Sequence, residues 1–105
     1  MPFETPKSRA IHFARHGQEF GAKDEYEYER MADTFMSLPL GANVYECTNL
    51  SGTFDRIRLD GSTRFFGVSF GILTVRTFHV RDAFSIAHRG GPAGFVAHKC
   101  AEVHS

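Results

Sequence analysis

The sequence predicts an α+β domain, with two N-terminal helices packed on an antiparallel sheet of about four strands. Three observations carry this expectation. Apolar residues recur at three and four positions through the first forty residues. From Asn43 onward the period falls to two. Turn residues then return every eight to ten positions, so successive strands are joined by short links and must pair antiparallel.

Thr5-Pro6 reads as a helix start, a capping hydroxyl followed by a proline with no N–H to satisfy. The first helix is expected over Pro6–His16, with Gly17 as a left-handed stop. Its apolar side is Ala10, Ile11, Phe13 and Ala14, and His12 and His16 lie away from the centre of that stripe. A second helix, capped by Asp24, is expected over Glu25–Ser37. Its core stripe is Tyr28, Met31, Ala32, Phe35 and Leu38, and Leu38-Pro39-Leu40-Gly41 ends it. Strands are expected near 44–49, 53–59, 64–70 and 73–80, linked by Leu50-Ser51-Gly52, Asp60-Gly61-Ser62-Thr63 and a tight turn at Phe70-Gly71. A short strand or turn follows near 83–87. Residues 89–94 read as a flexible link to a last segment, 95–105. The 105 residues make one domain, with its core over about 6–88 and an accessory or flexible end over 89–105.

Hydrophobic residues make up 42% of the chain and phenylalanine occurs 11 times, which excludes a disordered polymer. No apolar run approaches the roughly 18 residues of a membrane span. The polar first residues, with Pro2 and Pro6, do not resemble a signal peptide. That leaves a chain starting in a cytoplasm, or an excised domain with an added Met1. The only cysteines, Cys47 and Cys100, are expected as free thiols. Formal net charge is zero but the charges are segregated. Segment 19–33 is acidic, whereas every cation in 54–89 is arginine, the side chain suited to forked phosphate contacts. Any phosphate contact must therefore rest on a local patch.

His12 and His16 stand four residues apart, so both imidazoles project from nearly the same side of a helix. Imidazole both takes and gives a proton near neutral pH. Alternation puts Arg56 and Arg58 on one face of a strand, and Val75, Thr77 and His79 on one face of another, opposite Arg76 and Phe78. Imidazole, guanidinium and hydroxyl around one pocket suit a phosphodiester. RNA cleavage by its own 2′-hydroxyl needs a base, a cation or donors for the phosphorane, and an acid for the leaving oxygen. No metal or other cofactor is required. The alternative for the arginines is a set of solvated strand positions. His12 and His16 also have the spacing of a two-histidine metal clip, but lack the glutamate of the zinc hydrolase helix. His98-Lys99-Cys100, followed by His104, contains further ligand types.

The run Ile11-His12-Phe13-Ala14-Arg15-His16-Gly17-Gln18-Glu19-Phe20-Gly21, with Tyr28 and Ala32 to Phe35 after it, resembles the start of small bacterial toxin nuclease domains. These form the phage and polymorphic-toxin branch of the barnase–EndoU–colicin–RelE superfamily. Thr63, Phe66-Gly67-Val68 and Arg76-Thr77-Phe78 continue the likeness, which covers roughly residues 10–80. The resemblance implies a metal-independent endoribonuclease that leaves a 2′,3′-cyclic phosphate. By position it implies His16, with His12, as the proton-transfer histidine and Arg58 as the phosphate cation, with Arg56 second. Thr63 and Thr77 would bind phosphate or orient the base, and Arg76 would touch the RNA backbone. It also implies an RNA substrate, an acidic antitoxin or immunity partner, no membrane, and action in a bacterial cytoplasm, alone or delivered within a larger toxin. Other readings of the same residues are a non-catalytic RNA- or protein-binding module, an antitoxin using the acidic segment, and a small metal-binding protein.

Overall fold

Thr5 starts the first helix as the sequence predicts, its hydroxyl accepting the Ser8 N–H at 3.0 Å with Pro6 in the first turn. The computed structural model describes residues 2–48, 55–70 and 74–104. Helix α1 spans Pro6–His16, and a 3-10 turn over Gly17–Phe20 continues it. Gly17 is right-handed, and the left-handed residue is Gly21, at φ 66°. Gly17 is needed for space instead, because a Cβ there would strike the Phe13 ring. Helix α2 spans Glu25–Ser37, and the Asp24 carboxylate accepts the Glu27 N–H at 2.8 Å.

Four strands follow: β1 Val44–Thr48, β2 Asp55–Asp60, β3 Phe65–Phe70 and β4 Thr74–Val80. They form one antiparallel sheet in chain order, so the α+β class holds. The links expected at Leu50-Ser51-Gly52 and after Phe70 lie outside the described residues. The chain then forms α3 over Ala83–His88 and α4 over Pro92–His104, where a short strand or turn and a flexible segment were expected. Asp82 caps α3 by accepting the Ser85 N–H at 2.9 Å. Gly90 and Gly91, at φ 85° and 106°, make the tight turn into α4.

The sheet separates two cores. Phe3, Tyr28, Ala32, Met36, Val75 and Phe78 are buried together on the face covered by α1 and α2. Ile57, Leu59, Phe66, Ile86, Phe95 and Val96 are buried on the face covered by α3 and α4. Gly67 allows α2 to lie close on the sheet, since a Cβ there would meet Met36 and Phe35. Met36 takes the buried place in α2 that the apolar spacing gave to Leu38, which is exposed.

A bulge between Val68 and Ser69 corrects the expected face pattern of β4. Ser69 pairs with Val75 but Val68 pairs with Thr77, so Arg76 is the extra residue. Val75 consequently faces α2, while Thr77 lies on the opposite face with Val68.

The cysteines are also a correction. Cys47 of β1 and Cys100 of α4 form a disulfide with their Cα atoms 6.2 Å apart. The free-thiol expectation failed because nothing in the cysteine spacing shows that α4 crosses the face of β1 that carries Cys47. The bond closes a loop across a sequence separation of 53 residues. Replacing both cysteines by serine is expected to lower unfolding stability by about 2–4 kcal/mol, measured by denaturant titration of the oxidised protein.

Candidate functional site

The face of α1 turned toward the sheet carries Arg9, His12, Phe13 and His16, the spacing of a single helical stripe. Ala10, Ile11 and Ala14, expected to face the core, are exposed. Stacked aromatic rings run along this seam. Phe3 meets His12 at 5.3 Å between ring centroids, His12 meets His16 at 6.3 Å, and His16 meets His79 of β4 at 4.9 Å. Phe66 continues the series, 5.2 Å from His79.

Glu19 ties this row to the strand. One carboxylate oxygen lies 2.7 Å from His16 Nδ1, and the other accepts the Val80 N–H at 2.7 Å. The 3-10 turn makes this possible by returning the chain beneath His16 three residues later. Tyr28 adds a second tie by donating its buried hydroxyl to the Phe78 carbonyl. Burial, and then the charge of Glu19, push the Tyr28 phenol above its ordinary value, so it stays a donor.

Burial is the main reason that His12 and His79 hold protons less readily than free histidine. The charges of His16 and Arg15 add to the effect at His12. At His79, burial, His16 and Arg81 act downward against the Val80 carbonyl and Glu19. Both imidazoles are therefore neutral at pH 7.

The other expected site residues do not join this cluster. Arg58, expected as the phosphate cation, is 5% exposed. Its Nε donates to Glu46 at 2.7 Å, and one terminal nitrogen donates to the Phe35 and Leu38 carbonyls at 2.7 and 2.6 Å. Arg56 donates to the Met36 carbonyl at 3.0 Å and lies 3.6 Å from Glu46. Both guanidiniums thus serve carbonyls at the end of α2, where a helix leaves acceptors without partners. They are also set apart from His79, because β3 lies between β2 and β4, about 10 Å across the sheet. Thr77 is half-buried and shares a face of β4 with His79, as the alternation predicts. Arg76 is exposed at the bulge, its guanidinium 5.6 Å from the Phe70 ring centre. Thr63 accepts the Phe65 N–H at 3.2 Å and borders a separate apolar cleft of about 660 Å³ that includes Phe20, Met31 and Phe35.

His79 and Glu19 are the members of the cluster that the sequence reading did not assign. The signal for Glu19 was its place three residues after His16, and the signal for α1 was the stripe 9, 12, 13 and 16. Nothing comparable marked His79, since its neighbour across the seam comes from a helix distant in sequence. Among the described residues, no group of three His, Cys, Asp or Glu side chains is arranged to hold a metal ion. Cys100 of the tail motif is taken up by the disulfide.

Fold and cluster together define a small α+β protein with an imidazole–carboxylate row at a sheet edge. Compared with protein families, characterised proteins and solved structures, the chain matches none.

Two outcomes follow from this geometry. The unfolded chain binds protons at His12 and His79 more readily than the folded one, so stability is full above about pH 6.5 and falls as pH drops through the lowered values. Thermal melts between neutral and mildly acidic pH are expected to show this fall, and His12→Phe is expected to reduce it. Arg58→Met leaves the part-buried Glu46 carboxylate without its closest partner and the Phe35 and Leu38 carbonyls without a donor, and is expected to cost about 1–3 kcal/mol in urea unfolding.

Proposed function

We propose that the protein is a metal-independent endoribonuclease whose proton-transfer groups are His16 and His79, with Glu19 orienting His16. The observation that carries this reading is the stacked His16–His79 pair anchored by Glu19. It is supported by the resemblance of residues 10–80 to bacterial toxin nucleases and by the α+β fold.

In this mechanism Glu19 holds a proton on His16 Nδ1, which leaves Nε2 to accept the proton of the RNA 2′-hydroxyl. The 2′-oxygen attacks phosphorus, and the phosphorus–5′-oxygen bond breaks. Protonated His79 gives its proton to the departing 5′-oxygen, and the products are a 2′,3′-cyclic phosphate and a free 5′-hydroxyl. His12 supports His16 by stacking.

The remaining parts of the reading concern context. The substrate is RNA in a bacterial cytoplasm, and an acidic antitoxin or immunity protein neutralises the enzyme by covering its cationic side. A disulfide persists in an oxidising compartment, so Cys47–Cys100 favours delivery from outside the target cell over synthesis within it.

A second reading, a non-catalytic binding module, is favoured by the engagement of Arg58 with Glu46 and with the carbonyls at the end of α2. Incubation of purified protein with total RNA separates the two. Wild type is expected to cut RNA in the presence of EDTA, whereas His16→Ala and His79→Ala are each expected to lose at least about a hundredfold in rate. Because His79 must be protonated to act as the acid and holds its proton less readily than a free histidine, cleavage is expected to be fastest in acidic solution and to have slowed already as pH rises toward 6.5. RNA left intact by a folded wild-type protein would remove the enzymatic reading and leave the binding module.

A further inference from the structure

On the face of the sheet opposite α1 and α2, a cleft of about 150 Å³ opens between α3 and α4. This is several times a water molecule's share of liquid volume, about 30 Å³. Arg81, Arg89 and Lys99 line it together with His88 and His98. Arg81 lies against the floor, its guanidinium 5.0 Å from the Phe95 ring centre and 5.8 Å from that of Phe66. Its Nε is buried without a hydrogen-bond partner. Arg89 is exposed and has no ion pair among the described residues.

Two carboxylates stand near these cations. Asp82 is occupied by the Ser85 N–H and hydroxyl, at 2.9 and 2.7 Å, and these bonds, with the nearby charge of Arg81, hold its carboxyl below the usual value. Glu102 pairs with His98 at 2.9 Å and with Lys99 at 3.2 Å. Three permanent cations therefore face two engaged carboxylates, and the excess positive charge suits an anion.

The rim supplies the second half of a ligand. Phe84 is 78% exposed, more than any other large apolar side chain among the described residues. Its ring stacks on His88 at 6.0 Å, with an interplanar angle of 16°. An exposed flat ring beside a cationic cleft is the pairing that proteins use for single-stranded nucleic acid, where a base stacks while its phosphate meets arginine or lysine. We propose that the α3–α4 cleft is a nucleotide subsite, taking a phosphate group between Arg81, Arg89 and Lys99 and stacking the attached base on Phe84. The inference rests on the proposed function only in choosing nucleic acid as the ligand, since binding here needs neither His16 nor His79.

The test is fluorescence anisotropy with a short labelled single-stranded deoxyoligonucleotide, which has no 2′-hydroxyl and cannot be cleaved by the proposed reaction. Wild type is expected to bind at low salt and to weaken as salt rises. Phe84→Ala is expected to weaken binding about tenfold. Arg89→Gln is expected to weaken it and to reduce the salt slope by about one. Both positions are exposed, and matching thermal melts confirm that the variants fold. His16→Ala is expected to bind like wild type. Binding by Phe84→Ala within twofold of wild type, or no binding by wild type at low salt, would overturn the proposal. So would displacement by inorganic phosphate at the same concentration as a mononucleotide, which would leave a simple anion site. If the oligonucleotide binds as expected and RNA is never cut, the cleavage mechanism alone fails. If RNA is cut and Phe84→Ala changes neither binding nor KM, the subsite alone fails.

Discussion

The outer edge of β4 organises the rest of the structure. An edge strand presents unpaired backbone groups, and leaving them bare invites pairing with another chain. Here they are taken up by three distant parts of the sequence. Pro2 accepts the Val75 N–H at 2.7 Å, Tyr28 reaches the Phe78 carbonyl, and Glu19 accepts the Val80 N–H. Each contact brings an element with it: the N-terminal segment through Phe3, α2 through Tyr28, and the end of α1 through Glu19. The histidine row is a product of this closure. His16 lies beside His79 because the residue that binds the strand end is also the residue that binds His16.

The arginines show how charge is divided. Arg56 and Arg58 are committed to folding, where they satisfy the last carbonyls of α2 and share Glu46. Burying such a charge is costly unless its donors find partners, and Arg58 has three acceptors, from Glu46, Phe35 and Leu38. Arg76, Arg81 and Arg89 are not held in this way. The strand that first drew attention to arginine therefore contributes no cation to a ligand.

Much of the fold was legible because its signals are local. The Thr5 and Asp24 caps, the Tyr28 and Ala32 stripe and the alternation of Ile57 and Leu59 all depend on near neighbours. The misreadings share a different cause. Helix α1 turns its histidine side inward because Phe3, just before the helix, and His79, distant in sequence, stack against it. Val75 changes face relative to Thr77 and His79 because a single inserted residue in β4 reverses the alternation, and no residue type announces the insertion. Helix α4 was obscured by Gly90 and Gly91, which resemble a linker but form a tight corner with Pro92 at the next helix start. The site was legible only as far as His12 and His16, because its other members meet through tertiary contact.

The Cys47–Cys100 bond lies on the same face of the sheet as the α3–α4 cleft, so its oxidation state bears on the geometry there. It ties α4 to β1, and α4 supplies His98 and Lys99 to one wall of the cleft. Reduction would loosen that wall, so an occupant would be held less tightly by the dithiol form. Linkage is reciprocal, so an occupant must in turn make the bond harder to reduce, by the same free energy. A reductant and an anion would therefore act as antagonists on one helix.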